Sequence, residues 1–127
     1  MRLVLLTGSL VLAACWTDPE HDLVSQERST VARWTLPDGG TASAGMGLRR
    51  RGLGLESTWE VSVPTPWLQY RAWLAASRAP GYREMPSDDA HLFFIRNLPG
   101  DVFSVAIAVV KPAAPATVLV TFSAVPD

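Results

Sequence analysis

Residues 91–124 read HLFFIRNLPGDVFSVAIAVVKPAAPATVLVTFSA, and this stretch decides the fold. Its apolar residues alternate or fill short runs bounded by turn residues, the pattern of β-strands. One strand is expected over His91–Arg96, a second over Val102–Val110 and a third over Thr117–Ala124. Asn97-Leu98-Pro99-Gly100-Asp101 supplies a turn between the first two, with Pro to set φ and Gly to admit φ > 0. Lys111-Pro112-Ala113-Ala114-Pro115 does the same between the last two. Connections this short join antiparallel neighbours. Val118, Val120, Phe122 and Ala124 should share one face of the third strand.

Upstream, Pro64-Thr65-Pro66 ends one element and starts a helix, with Thr65 as cap and Pro66 at the first helical position. Trp67, Tyr70, Trp73, Leu74 and Ser77 fall on one face of a helix over residues 66–79, which Pro80-Gly81 stops. Before it, Trp59, Val61 and Val63 alternate with polar residues as a half-buried strand. Ala32, Trp34 and Leu36 alternate likewise, followed by the turn Pro37-Asp38-Gly39-Gly40 and a weaker, glycine-interrupted strand over 41–48. Residues 81–90 read as a polar loop. The expected fold is α+β, one amphipathic helix packed on an antiparallel sheet in the order β-β-β-α-β-β-β.

The strand at 102–110 is apolar on both sides: Phe103, Val105, Ile107 and Val109 oppose Val102, Ala106, Ala108 and Val110. A sheet with one wet face should alternate apolar with polar. Cover is therefore expected on both faces. The helix supplies one, and the N-terminal strands of residues 30–55 are the economical source of the other, with a second copy or a partner as alternatives.

The chain has 127 residues, 48% of them hydrophobic and 18% charged, with a formal net charge of −1. That suits one globular domain, is too apolar for a disordered chain, and offers no basic excess for nucleic acid. A single cysteine excludes an internal disulfide and a thiolate zinc cluster.

That cysteine closes the sequence Leu12-Ala13-Ala14-Cys15, which follows Met1-Arg2 and an apolar run over Leu3–Leu12. The run of about ten residues is too short to span a bilayer and suits the apolar region of an export signal. The tetrapeptide resembles the lipobox of bacterial lipoproteins. The resemblance implies cleavage before Cys15, a thioether-linked diacylglycerol on its sulfur and an acyl chain on its new amine, which together anchor a protein stably. It implies residues 1–14 as signal peptide; the mostly polar and acidic composition after Cys15 reads as a tether, giving 15–28 as lipidated cysteine and polar tether and 29–127 as the domain. Trp16, standing where an Asp would retain a lipoprotein in the inner membrane under that family's sorting rule, implies the periplasmic face of the outer membrane, the inner membrane being the alternative.

Candidate chemistry is sparse. Asp89 and His91 would share a strand face and Asp88 would not, so Asp89–His91 is the pair to weigh as an acid–base or metal site against a solvated strand start. No Gly-x-Ser-x-Gly elbow and no phosphate-binding Gly-Lys-Ser/Thr loop is present. Arg49, Arg50 and Arg51 form the one basic run, suited to an anionic head group or to a solvated hairpin tip. Trp67, Tyr70 and Trp73 would line any pocket between helix and sheet; otherwise they are core. No catalytic set, metal or cofactor is expected. The expected role is non-catalytic, a structural or assembly partner of an envelope protein, with a module binding lipid or a cell-wall fragment as the alternative.

Overall fold

Strands form where the alternation is strongest, and in the expected pairing. The computed structural model describes residues 19–43, 47–77 and 81–127. Within them β5 (His91–Leu98), β6 (Asp101–Lys111) and β7 (Ala116–Pro126) form an antiparallel meander. Gly100, at φ 90°, makes the β5–β6 turn that its position after Pro99 foretells. β3 (Gly54–Val63) pairs with β7, β4 (Arg83–Met85) with β5, and β1 (Thr41–Ala42) and β2 (Arg49–Arg51) both lie on the outer edge of β3. The seven strands form one antiparallel sheet in the order β1-β3-β7-β6-β5-β4, with β2 beside β3.

One face of this sheet is the core. Trp59, Val61 and Val63, Leu92 and Phe94, Phe103, Val105 and Ile107, and Ala116 to Ala124 at alternate positions are all buried. Phe103 and Phe122 stack at 5.8 Å between centroids. The four residues expected to share a face of β7 do so.

Two helices cover that face: α1 (Pro19–Trp34) and α2 (Trp67–Ser77). α2 matches the expectation, burying Trp67, Tyr70 and Leu74, half-burying Trp73 and leaving Leu68 63% exposed. α1 corrects two readings. Residues 19–28 are helix rather than tether, and residues 29–34 continue that helix rather than forming a strand. The physical reason lies in its buried stripe, Val24, Glu27, Val31 and Thr35, with Val24 and Val31 in the core. The spacing is helical, but two of the four residues are polar, so apolar periodicity does not display it. Thr35 ends the helix by donating its hydroxyl to the Val31 carbonyl at 2.8 Å.

Among the described residues the order is thus α-β-β-β-α-β-β-β-β. The α+β class with helices packed on an antiparallel sheet stands, with two helices where one was expected. The strand expected over 41–48 is reduced to Thr41–Ala42, residues 44–46 lying outside the described ones; Arg49–Arg51 pair as an edge strand; and the loop at 81–90 contains β4. The expected cover of the second face by residues 30–55 is overturned. β1, β2 and β3 extend the same sheet edgewise, and α1 joins α2 in the one core cluster.

Candidate functional site

The turn after α1 and the Pro64-Thr65 link into α2 meet at one corner. Gly39 there adopts φ 81°, and the Gly40 amide bonds the Pro37 carbonyl at 3.0 Å, so Pro37-Asp38-Gly39-Gly40 is the tight turn its residues foretell. Between these segments opens a cleft of about 390 Å³ lined by Leu36, Pro37, Asp38, Pro64, Thr65, Gln69, Tyr70 and Trp73. Tyr70 and Trp73 stack at 5.8 Å and 27° on its α2 side. The buried Tyr70 hydroxyl donates to the Thr35 carbonyl, fixing the end of α1 to α2, and burial pushes its ionisation well above the ordinary tyrosine range. The cleft offers an aromatic wall, two proline rings and three polar side chains: the carboxylate of Asp38, the amide of Gln69 and the hydroxyl of Thr65. That suits holding a ring or chain by contact and hydrogen bonds.

This is not a pocket between helix and sheet. Trp67 and Tyr70, expected to line one, are core residues at 3% and 1% exposure. Of the three, Tyr70 and Trp73 line the cleft instead, and Trp67 does not. The Trp67 indole N–H donates to the Asp89 carbonyl, tying the loop before β5 to α2.

The acid paired with His91 is Asp88, not Asp89. Its carboxylate meets His91 Nδ1 at 2.6 Å and accepts the Ala90 amide at 2.9 Å. Residues 86–90 are a turn rather than a strand, so strand alternation does not govern them. The hydrogen bond from His91, helped by the Ala90 amide, holds the Asp88 carboxyl below its ordinary range. Arg71 braces the same turn, donating to the carbonyls of His91 (3.2 Å) and Asp88 (3.1 Å) and to the Ser87 hydroxyl (3.2 Å). The His91 and Asp88 side chains are 57% and 70% exposed, which makes this a solvated start to β5. Among the described residues, no group of three His, Cys, Asp or Glu is placed to hold a metal ion.

Arg49, Arg50 and Arg51 are exposed along β2. Strand alternation splits them: Arg49 and Arg51 point to one side and Arg50 to the other, so the three do not converge on one anion. Arg51 meets Glu56 at 3.3 Å.

One polar cluster gives no sequence signal of its own. Glu27, buried in α1, accepts from Arg96 Nη1 at 2.9 Å and from the Tyr82 hydroxyl at 2.8 Å. Trp34 packs on Tyr82 and edge-on to Phe94, both at 5.5 Å. Glu27 lies three residues after Val24 and four before Val31, a relation legible only once residues 19–34 are read as helix. Its three members satisfy one another, so the cluster joins α1 to β5 and holds no vacant proton acceptor.

Cys15 lies outside the described residues. No helix among the described residues is long and apolar enough to cross a membrane. Comparison with protein-family models, curated proteins and solved structures finds no match to this chain. The assignment of a role therefore rests on the residues and their geometry.

Proposed function

We propose that this protein is a lipid-anchored lipoprotein of the bacterial envelope, held through diacylglycerol on Cys15, with a non-catalytic domain that serves as a structural or assembly partner in the periplasm. The observation that carries the reading is Leu12-Ala13-Ala14-Cys15, the lipobox pattern at the end of a short apolar run, with the chain's single cysteine at its obligatory position. Trp16, beside the lipid, suits the membrane interface, where tryptophan is favoured, and under the sorting rule directs the protein to the outer membrane. The proposed partners are the membrane and an envelope protein.

Replacing the sulfur tests this. Cys15→Ser should abolish incorporation of labelled fatty acid and move the protein out of the membrane pellet. Its thermal unfolding should be unchanged, because the described core begins at Val24. A Cys15→Ser protein that still pellets with membranes at unchanged apparent mass contradicts the reading.

The cleft beside Trp73 favours one second reading, a module binding lipid or a cell-wall fragment. Muropeptides or lipid should then quench tryptophan fluorescence saturably in the wild type and not in Trp73→Ala. Equal quenching in both removes the cleft from consideration.

A further inference from the structure

The walls of the cleft beside Trp73 are fixed, and each carries different chemistry. Gln69 and Trp73 stand one turn apart on α2, so amide and indole are neighbours. Tyr70 stacks on Trp73 and sets its plane, while its own buried hydroxyl, bonded to the Thr35 carbonyl, holds the inner side of the cleft in place. Thr65 lies between Pro64 and Pro66, which restrict its backbone. Asp38 is exposed in the turn opposite, and that turn lies against the link: a side chain at Gly39 would meet the Pro64 ring at 3.7 Å. Among the described residues that line the cleft, Asp38 is the one charged side chain.

We propose that the ligand of this cleft is an uncharged saccharide, a pyranose ring lying along Trp73 with its hydroxyls bonded to Asp38, Gln69 and Thr65; the step rests on the reading of the cleft as a ligand site. A pyranose has an apolar C–H face and a polar edge. The face suits contact with an indole. The edge presents hydroxyls that both donate and accept. The Asp38 carboxylate accepts, and the Gln69 amide and Thr65 hydroxyl do both, so the three serve a row of hydroxyls without an ion pair. Walls already held in place lose little freedom when such a ligand binds.

The same residues select against other ligands. A phosphate or carboxylate would meet the Asp38 charge with no cation among the described lining residues to offset it, which disfavours an anionic lipid head group and the acidic peptide of a cell-wall fragment. An acyl chain would cover Asp38, Gln69 and Thr65 with methylenes and leave their polar atoms unpaired. An organic cation would find a counter-charge in Asp38. Its aromatic partner, however, would be one half-buried indole with Tyr70 at 1% exposure behind it, a platform for a flat ring rather than a cage around an ammonium. The volume of about 390 Å³ lies at the lower end of the ~300–1,000 Å³ range of small-molecule sites and suits the end of a short oligosaccharide.

The indole N–H signals of the full-length, isotope-labelled protein in detergent test this, the Trp73 signal being identified by its loss in Trp73→Phe. The probes are chitotriose and maltotriose as neutral sugars, dihexanoylphosphatidylglycerol, the acidic dipeptide alanyl-glutamate, and tetramethylammonium. The expected result is a saturable shift of the Trp73 signal by a neutral trisaccharide at millimolar concentration, larger than the response to any other probe. Asp38→Ala and Gln69→Ala, both at exposed positions, should leave thermal unfolding unchanged and each weaken that binding ~2- to 10-fold, the loss of a hydrogen bond. Asp38→Asn retains an acceptor and should retain most of the binding, as an ion pair to a cation would not. A response to the lipid, the dipeptide or tetramethylammonium that equals or exceeds that to both sugars overturns the saccharide and leaves the cleft a ligand site. Sugar binding unchanged in both alanine variants overturns the saccharide assignment as well. A Trp73 signal that no probe moves overturns this proposal and the reading of the cleft together.

Discussion

Glu27→Ala should destabilise the domain by ~3 kcal/mol or more, because removing one partner of a buried ion pair leaves the other charge uncompensated. In a chain of this length that lowers the midpoint of thermal unfolding by about 10 °C. The Glu27 side chain is 9% exposed and that of Arg96 31%, so the loss falls at the lower end of the range for buried pairs. Tyr82 loses its acceptor in the same step. Glu60→Ala, an exposed carboxylate on β3, provides the control and should change stability by less than ~0.5 kcal/mol. Equal effects of the two would mean that α1 is not docked through this pair.

Alkaline titration supplies a second readout of the same cluster. Burial raises the ionisation of Tyr82, and the Glu27 carboxylate, by hydrogen bond and charge, raises it further; burial alone raises that of Tyr70. A raised folded value means that the folded state holds its proton longer. The associated stability is present in full below the ordinary tyrosine value of 10.0 and is lost as pH climbs above it. These are the chain's only two tyrosines. Phenolate absorbance should therefore appear only as the wild-type protein unfolds, and at lower pH in Glu27→Ala.

Leu74→Ala should cost ~2–5 kcal/mol, the range for truncating a buried leucine. Leu74 is 1% exposed beneath α2, whereas Leu68, on the opposite side of the same helix, is 63% exposed. Leu68→Ala should be nearly neutral, since alanine also favours the helix. Chemical denaturation of the two variants separates them. Similar losses would place the wrong face of α2 against the sheet.

How far the sequence carries depends on which physical signal each element uses. β5, β6, β7 and the buried face of α2 announce themselves because their burial is made by apolar side chains at strand or helix spacing. α1 hides because Glu27 and Thr35 take places in its buried stripe, stabilised by partners 69 residues away in one case and by a backbone carbonyl in the other. Its last turns also carry Ala32 and Trp34, with Leu36 just beyond, whose accidental alternation imitates a strand. The second face misleads for a different reason. Apolar content requires cover but does not name its source, and the pairing of β3 with β7 rather than with a second layer is a long-range choice no local pattern records. Among the candidate site residues, the exposure of Arg49, Arg50 and Arg51 is legible as charge. The cleft at Trp73 is not, because Pro37 and Pro64 come from separate turns brought together by folding.

The central claim is the anchor, and the mass of the protein isolated from its own membranes tests it most directly. The lipoprotein reading predicts a polypeptide that begins at Cys15 and is heavier than its amino-acid sequence by a diacylglyceryl group and one further acyl chain. An unmodified polypeptide that retains residues 1–14, or one cleaved elsewhere with a free Cys15 thiol, would contradict it.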